Sequence, residues 1–345
     1  MKVFRPMLFT TMKNYSKEQF IKDVISGIIV AIIALPLSIA LALASGVGPE
    51  QGLYTAIIAG FLISFFGGST VQIAGPTAAF ATIVAGIVAT SGMSGLIVAT
   101  VMAGIFLILM GIFHFGSLIK FIPYTITTGF TAGIAVTILI GQLKDFGGIT
   151  YQHGEKPVET VEKFHAFISN IDTINWMAVL VGVICLAILI IWPYINKKIP
   201  GSLIAVVAGI LMVKGLDLKV NTIGDLYTIS NKLPTFALPD LSFGLIKSQL
   251  SNALVIAVLA AIESLLSCVV ADGMVNSKHR SNTELIAQGI GNMGSALFGG
   301  IPATGAIART AANIKSGGRT PVAGMVHALT LVLILVVLMP YAAWI

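Results

Sequence analysis

Apolar runs follow one another along nearly the whole chain, separated by short polar stretches, at about 23–45, 52–66, 76–91, 94–114, 121–142, 174–195, 199–215, 248–272, 283–298, 304–316 and 320–344. A helix needs about 20 apolar residues to cross a bilayer. Most of these segments therefore predict membrane-spanning helices, whereas the third and tenth are too short to cross alone. Both short segments are broken by glycine and proline. The first break is Gln72-Ile73-Ala74-Gly75-Pro76-Thr77-Ala78-Ala79-Phe80, and the second runs Gly299-Gly300-Ile301-Pro302-Ala303-Thr304-Gly305-Ala306-Ile307-Ala308-Arg309. Non-helical backbone at membrane depth is tolerated only where protein or a wet cavity satisfies it. Paired interruptions in the two halves of a chain point to a central transport site built from inverted repeats.

Composition agrees with the pattern. Apolar residues make up 56% of the chain and charged residues 10%, where a soluble domain carries roughly 25% charge. Lysine and arginine set the orientation. With the N-terminus inside, the inner stretches hold Lys2, Arg5, Lys13, Lys17, Lys22, Lys120, Lys197, Lys198, Lys278, Arg280, Lys315 and Arg319. Lys144, Lys156, Lys163, Lys214, Lys219, Lys232 and Lys247 fall in or beside the long outer loops 143–173 and 216–247, and the short outer turns carry neither residue type. The net charge of +6 thus reports orientation and anionic lipid, with no reason to invoke nucleic acid. Residues 1–22 lack an Ala-x-Ala cleavage pattern and are not read as a signal peptide; Phe4 to Phe20 is expected to lie on the inner surface as an amphipathic helix.

Within the spans, Glu263 is the sharpest residue. At 1.5 Å per residue it lies about 20 Å from one end of its segment and about 13 Å from the other. A carboxylate at that depth costs at least ~2–3 kcal/mol, so it faces a partner or a cavity. On a helical projection Glu263, Ser267, Ala260, Ala271, Ser264, Ala257 and Cys268 share one side, and Leu259, Leu266, Val255, Ile262, Val269, Val258 and Leu265 the other. Small residues allow close approach of another backbone. Burial without a strong partner favours the neutral form of a carboxyl, which suits a proton-coupling group; Glu263 and Ser267, one turn apart, could instead offer oxygens to Na⁺. A permanently bonded structural glutamate is the bland alternative.

Arg309 is the Lys or Arg placed in the interior of a segment. Two facing helix N-termini carry unsatisfied N–H groups and about +0.5 charge each, enough to hold an oxyanion. The expected starts are Pro76-Thr77-Ala78-Ala79 and Thr304-Gly305-Ala306-Ile307, with Ala78, Ala79, Gly305 and Ala306 small enough to let a ligand reach the amides. Arg309 either adds positive potential or pairs with Glu263 or another acid. Pro36 can open the first helix, so that Ser38 lines the same cavity, or simply kink it. Phe80 is a wall of the site or a core residue.

Other signals are bland. Gly289-Ile290-Gly291-Asn292-Met293-Gly294 matches GxGxxG but follows no strand, which removes the dinucleotide reading. Gly129 and Gly133 suggest a close helix contact. His327 lies well inside a span, most simply as a hydrogen-bonded structural imidazole and alternatively as a proton relay. Asp272, Lys278, His279 and Arg280 read as a solvated helix boundary, Val220 to Asp240 as a loop with a short strand, and Cys185 and Cys268 as packing residues, with no metal or disulfide spacing. No Ser-His-Asp, HExxH or P-loop pattern appears, so nothing argues for a hydrolase or an ATPase.

These residues carry a resemblance to the SulP family of sulfate permeases. It rests on Asp23 through Pro36, Val71-Gln72-Ile73-Ala74-Gly75-Pro76-Thr77, Ala261-Ile262-Glu263-Ser264-Leu265-Leu266, Ala271-Asp272-Gly273-Met274, Gly305-Ala306-Ile307-Ala308-Arg309-Thr310 and Gly324-Met325-Val326-His327-Ala328-Leu329. The resemblance implies an all-α polytopic membrane protein with a core/gate fold of two inverted seven-segment repeats, in which segments 3 and 10 are half-helices. The expected divisions are a cytoplasmic segment 1–22, core segments 1–4 at 23–114, gate segments 5–7 at 115–215, an extracytoplasmic loop 216–247, and core segments 8–11 at 248–345. With the sequence ending at Ile345, the resemblance leads one to expect a second repeat cut short after segment 11, without the STAS domain typical of the family.

The implied activity is secondary active transport of an inorganic anion or small dicarboxylate across the inner (plasma) membrane, by proton symport and elevator-type motion. Thr77, Ala78, Ala79, Phe80, Thr304, Gly305, Ala306, Ile307 and Arg309 would bind the anion, Glu263 and Ser267 would take the coupling ion, and Pro36 and Ser38 would line the cavity. No cofactor or metal is expected beyond H⁺, or Na⁺ in its place. The alternatives are a Na⁺-coupled bicarbonate symporter, a nucleobase permease and a passive anion channel. The partners are a small anion and lipid, and a homodimer is compatible with the pattern.

Overall fold

The computed structural model describes residues 4–117, 124–151, 157–196, 201–227, 230–239 and 242–344. Lys2, Lys120, Lys156, Lys197, Lys198 and Asp240, used in the sequence reading, lie outside them. The helices are α1 (Leu8–Thr11), α2 (Lys17–Ala44), α3 (Pro49–Phe66), α4 (Ala81–Ile112), α5 (Tyr124–Phe146), α6 (Thr160–Ser169), α7 (Trp176–Ile195), α8 (Gly201–Gly215), α9 (Ile223–Leu226), α10 (Phe243–Val275), α11 (Ser281–Leu297), α12 (Ile307–Lys315) and α13 (Pro321–Val337). Among the described residues, Lys17–Ala44, Ala78–Ile112, Trp176–Ile195 and Phe243–Val275 are long and apolar enough to cross a membrane.

The chain divides into two compact units, Met1–Pro123 with Asn231–Val337, and Tyr124–Ser230 with Leu338–Ile345. In the first unit α11 packs between α4 and α3, α10 lies on α4, and α13 covers α2 and α3. Glycines make the α11 contacts possible. A methyl on Gly289 would strike the Gly104 carbonyl, and one on Gly294 would strike Leu62. The GxGxxG stretch is thus a two-faced packing surface. In the second unit α7 pairs with α8, and α5 with α6 and α7. A methyl on Gly129 or Gly133 would meet no heavy atom within 4 Å among the described residues, which corrects the expected close contact.

Local chemistry explains the boundaries. Ser16, extended and N-terminal to α2, accepts the Gln19 amide at 3.1 Å, the usual serine cap. Pro49 opens α3, where its missing N–H is not needed. The expected surface helix from Phe4 to Phe20 is instead the short α1 and a 3-10 turn, Met12–Asn14, because Ser16 restarts the chain as α2. Between Val220 and Pro239 the described backbone holds α9 and no strand. Pro36 leaves α2 unbroken, so the helix bears the lost hydrogen bond without opening.

The all-α expectation needs one amendment, a two-residue antiparallel pair, β1 (Ala74–Gly75) with β2 (Thr304–Gly305), in the register Ala74↔Gly305 and Gly75↔Thr304. Segments 3 and 4 also run together as α4, bent at Gly92, whose φ of 64° and ψ of −171° lie in a region only glycine enters freely. Gly92→Ala should therefore cost about 1–3 kcal/mol, read as a fall in melting temperature in detergent. Gly86→Ala, in a straight stretch of the same helix with open space at its β-carbon position, should leave it unchanged or raise it by up to ~1 kcal/mol.

Candidate functional site

The two breaks meet at β1 and β2, and side chains from neighbouring helices bond much of the backbone that leads into them. In the first, Glu284 of α11 is fully buried. Its Oε2 accepts Gly68 N–H at 2.8 Å and Ser69 N–H at 3.2 Å, and its Oε1 accepts Gln72 Nε2 at 2.7 Å and Gln288 Nε2 at 2.9 Å. Asn313 Nδ2 donates to Val71 O at 2.8 Å, and Thr310 Oγ1 accepts Ile73 N–H at 3.0 Å. In the second break, Ile301 N–H donates to Thr55 Oγ1 and Ser295 Oγ to Ile301 O, both at 2.7 Å. Asn292 brackets Ala303, accepting its N–H at 2.9 Å and donating to its carbonyl at 2.8 Å.

Sequence reasoning missed this clamp. Its signal was present: Glu284, Gln288, Asn292 and Ser295 recur at helical spacing inside an apolar segment and so line one face. On α10 the expected small-residue face is the buried one, Ala257, Ala260, Ser264, Ser267, Cys268 and Ala271 all being buried. Leu265, assigned to the opposite side, is buried as well.

Two helix starts emerge from the joined breaks. The first is a 3-10 turn, Ala78–Phe80, entered from extended Thr77; the second is α12, whose start falls at Ile307. The first amides of a helix have no carbonyl behind them to accept their hydrogens. These are the N–H groups of Ala78 and Ala79, residues that are partly exposed, and of Ile307 and Ala308, residues that are exposed. Ala308 was not among the expected site residues. Ala306 and Gly305, which were, are otherwise engaged. The Ala306 amide donates to Ile73 O at 2.8 Å, and Gly305 is a glycine because a side chain there would run into the Gln72 amide. Thr304 Oγ1 donates to Ala260 O at 3.0 Å. Phe80, 1% exposed, is a core residue beside Val84, Ile256 and Ala260.

Charged groups stand on both sides of Pro76-Thr77. Glu263 Oε2 accepts the Thr77 hydroxyl at 2.9 Å. Arg309 is 1% exposed; its Nη2 reaches Ser38 Oγ and Pro76 O, each at 3.3 Å, while Nε and Nη1 have no hydrogen-bond partner among the described residues. The guanidinium lies behind β1, where a side chain on Gly75 would collide with it. The ion pairs among the described residues are Lys22–Glu18 and His279–Asp272, so the considered Arg309–Glu263 bridge is not made. Ser267 contacts Thr310 Oγ1 at 3.5 Å and shares no bond with Glu263. Pro36 is half-buried, and Ser38 is buried.

Away from the breaks, Asp23 is buried and ties the start of α2 to the start of α13, accepting Thr320 Oγ1 at 2.6 Å, Arg319 N–H at 2.8 Å and Tyr15 OH at 2.9 Å. Burial, and then the hydrogen bond to Asp23, push the Tyr15 hydroxyl up to about 12, which keeps it a donor. Asp272 is more than a solvated boundary: His279 Nδ1 sits 2.7 Å from its Oδ2, and His279 Nε2 sits 2.9 Å from Ser281 Oγ. Both cysteines are free thiols, and no group of metal-ligating side chains occurs among the described residues.

Because Glu284 serves so many donors at once, Glu284→Ala should cost about 3 kcal/mol or more, each stranded buried donor being worth roughly 1–3 kcal/mol. Hydrogen exchange at residues 68–73 should quicken in step. Glu284→Gln, which keeps one acceptor oxygen, should fall between the two, and unaltered exchange in the alanine variant would show that the carboxylate is not what holds the break.

Residues 20–345 match the model of the sulfate permease family. YvdB of Bacillus subtilis (strain 168) is 46% identical over 96% of this chain and 62% of its own length. The bicarbonate transporter BicA of Picosynechococcus sp. is 33% identical over 91% of this chain and 56% of its own. The chain thus spans less than two thirds of these relatives. The solved transmembrane domain of a cyanobacterial bicarbonate transporter BicA superposes with a TM-score of 0.86 at 31% identity, covering 96% of this chain and 85% of that one. Helices of this order and pairing, two breaks joined at their middles, and a family match over nearly the full length identify the chain as a member of the sulfate permease family, with the fold of that transmembrane domain.

Proposed function

We propose that this chain carries the binding unit of a secondary active transporter for small anions, sulfate and bicarbonate foremost and small dicarboxylates after them. The observation that carries the reading is the antiparallel β1–β2 pairing, from whose two ends the helix starts at Ala78 and Ile307 leave, with a buried guanidinium packed on β1 that no carboxylate ion-pairs among the described residues. Unsatisfied amides and helix dipoles favour an anion there, and Arg309 deepens the positive potential from behind. The amides of Ala78, Ala79, Ile307 and Ala308 would touch the anion. Family membership and the names of the relatives support the substrate class.

Glu263 supplies the coupling. It stands beside the first helix start and shares a hydrogen bond with Thr77, so a proton on the carboxyl removes a negative charge that would repel the arriving anion. Anion and proton then enter together. The oxygen bonded to Glu263 is the Thr77 hydroxyl, and Ser267 shares no bond with the carboxyl, so one neighbouring oxygen in place of the several a sodium ion needs favours H⁺ over Na⁺. The mirrored recognition of Ala303 by Asn292 and of Ile73 by Thr310 supports an inverted-repeat origin, and with it an elevator-type alternating access in the inner (plasma) membrane, N-terminus inside. Mostly amides and small side chains face the site, which disfavours a nucleobase, whose ring edges need polar side chains to be read.

Uptake of labelled sulfate, bicarbonate and succinate into proteoliposomes, with imposed pH or sodium gradients, tests the reading. An inward proton gradient should drive accumulation of at least one of these anions. Glu263→Gln should abolish accumulation and flatten the pH dependence while leaving downhill exchange. Undiminished, pH-insensitive flux in that variant would make the protein a passive channel. Arg309→Gln should weaken anion affinity about tenfold, the factor for 1.4 kcal/mol, and Arg309→Lys should restore part of it.

A further inference from the structure

His327, in the middle of α13, is completely buried, and neither ring nitrogen has a hydrogen-bond partner among the described residues. It does not stand alone. Nε and Nη1 of Arg309 and Oγ of Ser64 are buried and unpartnered too. A neutral imidazole carries one donor and one acceptor, and stranding both in a dry interior is costly; buried polar atoms without protein partners are met by ordered water.

The stranded atoms lie along one stripe of α3, made by Ala56, Gly60 and Ser64 at one-turn spacing. A methyl on Gly60 would lie 3.3 Å from Ala74 O and 3.8 Å from both Nδ1 and Cε1 of His327, so the ring and the β1 backbone both pack on this glycine. One residue along β1, Gly75 packs on the Arg309 guanidinium and lies 3.7 Å from Ala56 Cα, measured from its β-carbon position. At the other end of the stripe, Gly324 closes on Ser64 Oγ. Waters along this seam would meet the ring and the Ala74 carbonyl beside Gly60, the guanidinium one turn away beside Ala56 and the serine hydroxyl one turn the other way, polar partners of the kind that buried water needs.

We propose that the seam between α3 and α13 is a hydrated proton site, in which His327 takes up a proton from water when an anion sits at the helix starts and returns it when the anion leaves. The charges around the ring support the coupling. On the elements packed against α13, Glu50 of α3 stands in its first turn, and Lys17, Glu18, Lys22 and Asp23 of α2 lie at that helix's start; Arg309 is the charged group at the level of the ring, with Glu263 beyond Pro76-Thr77. The fixed charge of Arg309 repels a second positive charge on the imidazole. An anion at Ala78 and Ile307 offsets it. The proton comes from bulk water by way of the seam and goes back the same way, and no bond other than N–H and O–H forms or breaks.

This inference rests on the anion reading above, and one experiment separates them. The purified protein in detergent, weakly buffered with an indicator dye, is mixed with sodium sulfate, bicarbonate or succinate, and binding is followed in parallel by the rise in melting temperature. Wild type should take up protons on binding, His327→Gln should lose a share approaching about one proton per bound anion while keeping its anion-induced stabilisation, and Ser64→Ala should lose part of it. Glu263→Gln should retain the His327 share. Stabilisation with unchanged proton uptake in His327→Gln, or a high-resolution cryo-EM map with a dry seam, overturns this inference alone. Absence of any anion-induced stabilisation in wild type overturns the anion reading and this inference with it.

Discussion

Backbone that leaves a helix inside a membrane protein has to find every hydrogen-bond partner within the protein, and this chain is organised around that demand. The breaks meet it partly through each other, across β1 and β2, and partly through side chains that read main-chain atoms as a strand or helix would. Glu284 accepts the amides that open the first break, Thr310 and Asn313 hold its middle, and Asn292, Ser295 and Thr55 do the same for the second. The arrangement explains why α11, set between α3 and α4, is apolar toward α4 yet carries a polar stripe toward the breaks.

The same constraint sorts the buried charges. Glu284 and Asp23 each accept several hydrogen bonds and act as fasteners. Among the described residues part-buried Glu263 and fully buried Arg309 are less well served, one bonded to a single threonine and the other with two nitrogens unmet. Buried ionic groups lacking compensation are costly, and they tend to mark sites at which charge arrives and departs. That contrast separates structural acids from the candidate coupling acid more sharply than depth in the membrane does, since Glu284 and Glu263 both lie in apolar helices.

Much of the architecture was legible because the helices follow apolar run length, which is a local property. Segment after segment falls within a few residues of its expected place, and the small-residue face of α10 is buried as its periodicity requires. Legibility failed where two distant stretches act on each other. Gly305 and Ala306 resemble an open ligand platform when read alone; in the fold one makes room for Gln72 and the other donates to Ile73, which moves the available amides to Ile307 and Ala308. Gly129 and Gly133 carry a close-contact spacing with no neighbour to use it among the described residues.

What sequence by itself determined is the run of long apolar helices, the placement of Glu263 and Arg309 inside apolar segments, and the presence of two interruptions, because hydrophobicity and glycine–proline chemistry act over a few neighbouring residues. Tertiary structure alone decided that the interruptions pair in the register Ala74↔Gly305, that Glu284 rather than Glu263 clamps the first of them, and that buried polar atoms of Arg309, His327 and Ser64 lack partners among the described residues. Hydrogen-bond satisfaction is settled by which groups arrive within about 3 Å of each other, and only packing of residues far apart in the chain brings them there.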